Sequence, residues 1–208
     1  MNPDDFQATL LSRADRVGVD VDVKDSKKLF RYVELLRHWN KTINLTALAL
    51  DPLTDEAIDR LLIEPLAVAH RLPDVALRWW DLGSGGGSPA VPIKISRPDF
   101  HLTMVESKSR KTAFLREVVR ELSLGDTRVE TARFETLLNR ADCAGSASLI
   151  TVRAVKLDAA LLAVCTQLLQ EDGLLVPFGL SGTAPRGFVS DGRTGFLRRC
   201  STGNNIAD

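Results

Sequence analysis

The first third of the chain repeats its hydrophobic residues at the spacing of amphipathic helices, and the pattern predicts three of them. The apolar face of the first is formed by Phe6, Leu10, Leu11 and Val17. The second is predicted over 25–36 behind an N-cap at Asp25 or Ser26, and the third from about 54 to 71. We therefore predict an N-terminal helical extension over residues 1–73 that packs on the domain following it.

From about residue 76 the pattern changes to short apolar runs that alternate with amphipathic segments. Strands are predicted at Leu77–Leu82, Leu102–Glu106, Thr127–Thr131, Leu149–Val152 and Leu174–Phe178. Helices are predicted between them at 88–97, 109–121 and 156–169, with a short one near 134–140. This alternation is typical of an α/β fold with a mainly parallel, Rossmann-like sheet covered on both faces. It assigns residues 74–208 to one domain, with a shortened C-terminal end because only weak strand patterns follow Gly179.

A glycine-rich turn with the sequence DLGSGGGSP follows the first predicted strand, and Ser88 is the predicted N-cap of the next helix. Glycine permits positive φ and lets a ligand approach the backbone closely. The acidic Asp81 would repel the pyrophosphate that a dinucleotide loop holds, so it disfavours a nicotinamide cofactor. It suits S-adenosylmethionine, which has cationic groups and no phosphate; the alternative is an ordinary tight turn. The predicted donor-binding residues of this segment are Asp81, Gly83, Ser84, Gly85 and Gly87.

The ends of the next two strands offer further donor contacts, because ligands of open α/β sheets bind beyond the carboxyl ends of the strands. Glu106 follows the last glycine by about twenty residues, the spacing at which an acid binds ribose hydroxyls. Its alternative is a solvated acid that pairs with a nearby Lys108 or Arg110. An adenine is expected after the third strand, beside Arg133, Phe134 and Glu135, although Phe134 is equally compatible with a core position.

Arg153, after the fourth strand, is the candidate for the other side of the crevice. Its planar guanidinium suits phosphate, carboxylate or a guanine edge. The alternative is a surface ion pair with Asp158.

Composition and charge narrow the class of protein. With 208 residues, 44% hydrophobic and 26% charged, the chain is typical of globular proteins, and no apolar run is long enough to span a membrane. The acidic N-terminus has no apolar signal core, and the three cysteines are widely spaced without CxxC, so we expect a cytoplasmic protein without a metal site.

The formal net charge is zero, which argues against non-specific coating of nucleic acid. Cations concentrate locally in the segment 94–120, where the interpretation as a binding face competes with that of a solvated helix surface.

Four segments together resemble the RsmG (GidB) family of bacterial 16S rRNA guanine-N7 methyltransferases. They are WNKTINLT at 39–46, DLGSGGGSPAVP at 81–92, VESKSRK with the following FL at 105–115, and VRAV at 152–155. The resemblance implies a class I fold that uses S-adenosylmethionine as donor and N7 of a guanine in 16S rRNA as acceptor. It also implies that Ser107 belongs to the donor pocket, and that Asn44 and Arg153 are catalytic residues on the acceptor side. Arg153 is expected among the donor-binding residues as well, and the alternative for Asn44 is a structural cap or turn residue.

Five positions depart from the family pattern: Leu61 stands for a histidine, Glu64-Pro65 for Asp-Ser, Ala90 for a glycine and Phe178 for a lysine. The leading hypothesis is therefore a cytoplasmic, monomeric methyltransferase that acts on 16S rRNA or the small ribosomal subunit. The alternatives are the same fold acting on another RNA or a small molecule, and a non-catalytic homologue that binds donor or RNA.

Overall fold

The computed structural model describes residues 1–179, 184–190 and 195–200. Within them, seven strands form one sheet in the order β3-β2-β1-β4-β5-β7-β6. The strands are β1 (Arg78–Leu82), β2 (His101–Glu106), β3 (Thr127–Thr131), β4 (Ala147–Arg153), β5 (Leu169–Phe178), β6 (Phe188–Ser190) and β7 (Leu197–Arg199). The first five are parallel, and β7 pairs antiparallel with both β5 and β6. The predicted α/β sheet is confirmed. The antiparallel pair of β6 and β7 was not predicted, because only weak strand patterns follow Gly179.

The helices cover the sheet on both faces. They are α1 (Pro3–Asp15), α2 (Val23–Asn40), α3 (Asp55–Ile58), α4 (Glu64–Arg71), α5 (Ala90–Ser96), α6 (Ser109–Glu121) and α7 (Ala159–Leu168). A π-helical turn over Asp59–Ile63 connects α3 to α4, and 3₁₀ turns lie at Phe134–Asn139 and Ala141–Cys143. In the described part of the chain, no helix combines the length and apolarity needed to cross a membrane.

Two helix starts differ from the prediction: α2 is capped by an earlier residue, and α5 has no side-chain cap. The N-cap of α2 is Asp22, whose carboxylate accepts a hydrogen bond from the N–H of Asp25, so the prediction of Asp25 or Ser26 was wrong. Ser88 does not cap α5, which begins two residues later; its hydroxyl donates to the Leu61 carbonyl instead. Val17 lies beyond the end of α1 and is 50% exposed, so it does not extend that apolar face.

The N-terminal helices share one hydrophobic core with the sheet. A single buried cluster runs from Phe6 and Leu36 in the helices to Trp79 and Leu102 on one face of the sheet. The opposite face, which carries Trp80, packs against α7 in a second cluster. Because successive strand residues point to opposite faces, the WW pair contributes one ring to each cluster.

The strand order places a crevice beyond the carboxyl ends of the central strands β1 and β4. β1 lies between β2 and β4, and the connections that follow β1 and β4 leave in opposite directions. This is the topological switch point, beyond which ligands of open α/β sheets bind.

The shared core predicts cooperative unfolding of the extension and the sheet. We expect one transition on urea denaturation, whether it is followed by far-UV circular dichroism or by the fluorescence of Trp39, whose ring lies 5.9 Å from that of Phe114. A fragment of residues 74–208 should stay unfolded, because it would expose the apolar surface that the helices cover. Two separate transitions, or a folded fragment, would show that the extension is an independent domain.

Candidate active site

Backbone hydrogen bonds connect the glycine turn after β1 to the end of β2. The N–H groups of Gly83 and Ser84 both donate to the Val105 carbonyl, at 2.9 and 3.2 Å. Gly83 has a φ of +76°, and a Cβ there would lie 2.6 Å from a methyl of Val155. Gly87 has a φ of +88°, and a Cβ there would lie 2.9 Å from a methyl of Val91. Both positions therefore require glycine for conformation and for space.

The N-terminal extension holds the same turn from the other side. The hydroxyl of Tyr32, in α2, donates to the Gly86 carbonyl at 2.7 Å. A Cβ on Gly86 would lie 3.0 Å from the carbonyl oxygen of Leu45, so the extension packs directly on the turn. Sequence reasoning did not identify Tyr32; it is the only tyrosine of the chain, but nothing in the local pattern indicates its partner.

Glu106 connects the two loops that form the floor of the crevice. Its carboxylate accepts hydrogen bonds from the N–H of Gly85 at 3.0 Å and from the N–H of Lys108 at 2.8 Å. Among the described residues it forms no ion pair, so the alternative of pairing with the Lys108 or Arg110 side chain is not realised. Oε1 also accepts a long hydrogen bond of 3.4 Å from the Ser107 hydroxyl, whereas Oε2 accepts only from Gly85 and keeps a lone pair for a further donor.

These loops and the extension enclose a cavity of about 800 Å³, within the range of ligand pockets. Most of the predicted site residues line it: Asn44, Gly83, Ser84, Gly85, Glu106, Ser107, Arg133, Phe134, Glu135 and Arg153. Asp81 and Gly87 lie behind this lining. Tertiary structure thus brings residues from five separate loops to one cavity, while the role of each in binding stays a prediction.

Asp81 is a buried charge beneath the cavity, only 1% exposed. One of its oxygens, Oδ1, accepts a hydrogen bond from the Thr151 hydroxyl at 2.5 Å, and that hydroxyl accepts one from the indole N–H of Trp79. The other oxygen, Oδ2, has no partner among the described residues. Burial raises the pKa of Asp81 to about 6, against the lowering effect of the Thr151 hydrogen bond.

The loop after β3 forms the part of the cavity where the adenine is expected. The N–H of Ala132 donates to the Glu106 carbonyl at 3.1 Å, which ties this loop to the ribose side. Phe134 is half-buried; it both packs on the second core cluster and lines the cavity, so its two interpretations are compatible.

The sequence left two roles open for Asn44, in the acceptor site or in a turn, and the structure gives the turn role to Asn40 instead. Asn40 is the turn residue: its side chain accepts from the N–H groups of Leu45 and Thr46 at 2.8 and 3.0 Å and donates to the Thr46 carbonyl. Asn44 is exposed, lines the cavity and forms no hydrogen bond with the described residues.

Arg153 is held by residues of the extension and of β5. Its Nη2 pairs with the Glu64 carboxylate at 2.8 Å, its Nη1 donates to the Arg60 carbonyl, and its guanidinium carbon lies 4.5 Å from the centre of the Phe178 ring. The alternative, a surface ion pair with Asp158, is not realised, because that carboxylate caps α7 by accepting from the N–H of Leu161. Burial lowers the pKa of Arg153, and Glu64 opposes this effect.

Comparison with known proteins gives a consistent picture. Residues 25–179 match the family model GidB, described as rRNA small subunit methyltransferase G. A protein of Xanthomonas campestris pv. campestris (strain B100) is 36% identical over 88% of this chain and 81% of its own length. One of Stenotrophomonas maltophilia (strain K279a) is 36% identical over 91% and 83%. Both are named ribosomal RNA small subunit methyltransferase G.

Solved structures show the same fold at low sequence identity. A Corynebacterium glutamicum protein superposes with a TM-score of 0.53 at 19% identity, over 71% of this chain and 66% of that one. A candidate S-adenosyl-L-methionine-dependent methyltransferase of Methanococcus maripaludis gives a TM-score of 0.51 at 16% identity, over 70% of this chain and 61% of that one.

The environment of Asp81 predicts a pH-dependent affinity for a cationic ligand. Since burial raises the pKa of Asp81 to about 6, its protonated form stabilises the ligand-free protein at low pH. That contribution is lost as the pH rises through about 6, where the carboxylate forms and attracts a cation. The affinity for S-adenosylmethionine, measured by calorimetry, should rise between about pH 5 and about pH 7.

The variant Asp81→Asn tests this directly. Loss of the negative charge should weaken binding about tenfold at neutral pH and remove the pH dependence, while the Tm of the ligand-free protein at about pH 8 is not lowered. Equal, pH-independent affinities of the two proteins would instead limit Asp81 to anchoring Thr151 in the sheet.

Proposed function

The chain belongs to the GidB family of small-subunit rRNA methyltransferases, and on this premise we propose that it methylates N7 of a guanine in 16S rRNA. The observation that carries the proposal is the single cavity at the switch point. The glycine turn, Glu106, Asn44 and Arg153 all line it. We place the donor against the glycine turn and Glu106 and the acceptor against Asn44 and Arg153, so that the two would meet within one cavity.

The residues of the first end fit S-adenosylmethionine. Glu106 offers two carboxylate oxygens in a fixed orientation for ribose hydroxyls, because backbone N–H groups already hold both. The glycine turn lets the ligand approach the backbone, and the unpartnered oxygen of Asp81 places negative charge below it. The expected binders Ser84, Ser107 and Glu135 complete this side of the cavity.

The chemistry requires little beyond placement. Bound S-adenosylmethionine supplies a methyl group on a positively charged sulfur, which is a good leaving group. Guanine N7 already carries a free lone pair, so the protein needs no general base, and its residues serve to align the two partners and exclude water. Asn44 and Arg153 are proposed to contact the acceptor base.

The cavity mouth carries positive charge suited to an RNA backbone. Arg60, Lys108 and Lys111 line the cavity, and none of the three pairs with a carboxylate among the described residues; the exposed Arg110 lies next to them in the chain and is also without an ion pair there. Such free cations hold phosphates without reading sequence, and their contribution decreases with salt. We further propose that the protein acts as a monomer in the cytoplasm on 16S rRNA or the small subunit.

The acceptor assignment is tested with labelled donor. We expect label to enter 16S rRNA or small subunits that lack the modification, and N7-methylguanine to appear as a single chain-cleavage site. S-adenosylhomocysteine should inhibit the transfer. Label on another RNA would point to a different acceptor, and binding of S-adenosylhomocysteine without transfer to any RNA would favour a non-catalytic homologue.

The two asparagines provide a matched pair of variants. Asn44→Ala should lower kcat/KM for RNA by about tenfold or more without changing the Tm, because its amide contacts only the cavity. Asn40→Ala should lower stability by about 1–3 kcal/mol, because it leaves the turn without its side-chain partners. Wild-type kinetics of Asn44→Ala would remove this residue from the acceptor site.

A further inference from the structure

Pro65 leaves a backbone carbonyl of the extension without a helical partner. In the π-helical turn the N–H of Glu64 donates to the Asp59 carbonyl, five residues earlier. The Arg60 carbonyl therefore loses its α-helical donor. Its π-helical donor would be residue 65, which is proline and has no N–H. The carbonyl is satisfied by Nη1 of Arg153, from the end of β4 on the opposite side of the crevice.

Glu64, which precedes Pro65 in the chain, binds the same guanidinium. The Glu64 carboxylate pairs with Nη2 at 2.8 Å, and the ring of Phe178 lies against the guanidinium face, 4.5 Å from its carbon. The Arg153 side chain is only 15% exposed, whereas that of Glu64 is 48% exposed. The Glu64 carboxylate is therefore partly solvated, whereas the Arg153 guanidinium that it binds is largely shielded from water.

With these contacts to Glu64, Arg60 and Phe178, the Arg153 guanidinium forms part of the wall of the active-site cavity. Arg153 lines that cavity, while Glu64 and Phe178 border a separate depression on its far side. Both terminal nitrogens are bound by residues of the extension, which restrains the side chain. Nε remains buried and without a partner among the described residues.

We propose that Glu64, together with the Arg60 carbonyl that Pro65 frees, is a positioning element that fixes the Arg153 guanidinium at the acceptor end of the cavity. The expected effect on kcat rests on the proposed function. The restraint of the Arg153 side chain rests on the geometry alone. Glu64 acts only through Arg153, and Phe178 supports the guanidinium from its face. Three positions that depart from the family pattern, Glu64, Pro65 and Phe178, therefore act on one cation.

Three variants test the proposal. Glu64→Ala removes the charge and the hydrogen bond, Glu64→Gln keeps an acceptor oxygen, and Glu56→Ala is the control, an exposed acid on the same helical segment. The measurements are the affinity for S-adenosylhomocysteine, the Tm, kcat and KM for 16S rRNA, and the side-chain Nε–H signal of Arg153 by NMR.

We expect Glu64→Ala to lower kcat for RNA by about tenfold or more, since a misplaced catalytic group loses its alignment. Its donor affinity should stay within about twofold of the wild type, because the donor end is untouched. The Arg153 Nε–H signal should broaden or disappear through exchange with water. Glu64→Gln should recover much of both the kcat and the signal, and Glu56→Ala should match the wild type.

The two readouts separate failure of this proposal from failure of the proposed function. An unchanged Nε–H signal in Glu64→Ala would overturn the positioning role whether or not the protein methylates RNA. A lost signal with unchanged kcat would overturn it too, as would equal losses in Glu64→Gln and Glu64→Ala. If the wild type methylates no RNA, the proposed function fails, and the NMR comparison still decides whether Glu64 fixes Arg153.

The role of the free carbonyl is tested by Pro65→Ala, which restores an N–H to residue 65. We expect this donor to compete with Arg153 for the Arg60 carbonyl, so that the Nε–H signal and kcat change in the same direction as in Glu64→Ala, by a smaller factor. Wild-type values would remove Pro65 from the proposal.

Discussion

The carboxylate of Glu106 is the constraint on which the candidate site depends. It accepts one N–H from the glycine turn after β1 and another from the start of the loop after β2, so two loops that would otherwise move separately share one anchor. Tyr32 restrains the same turn from the extension. A cavity bounded by loops is thereby held in one shape before any ligand arrives, which is the preorganisation that an alignment-driven reaction needs.

Two buried charges of opposite sign underlie this cavity. Asp81 lies beneath the cavity and Arg153 lines it; each has one polar atom without a partner in the described residues. Each also lowers the cost of burying the other, because Arg153 opposes the rise in the pKa of Asp81. Such incompletely satisfied charges are rare in a folding core and are typical of binding sites.

Much of the fold could be predicted because its signals are local. The bounds of β3 and α6 were predicted to the residue, since alternation and an amphipathic period are properties of contiguous sequence. The cap of α2 and the role of Ser88 were predicted wrongly. The Ser88 hydroxyl bonds a carbonyl 27 residues earlier in the chain, and no local pattern reports that neighbour.

The sequence by itself determined the class of protein: the alternation of strands and helices predicts a mainly parallel α/β sheet, and the glycine turn with Asp81 and Glu106 indicates the donor. Only the tertiary structure decided what Arg153 contacts. The sequence suggested Asp158, five residues away, but the chain places Glu64 and the Arg60 carbonyl against the guanidinium from about ninety residues earlier. Short-range patterns specify backbone conformation, whereas the partner of a buried charge depends on which distant elements the common core brings together.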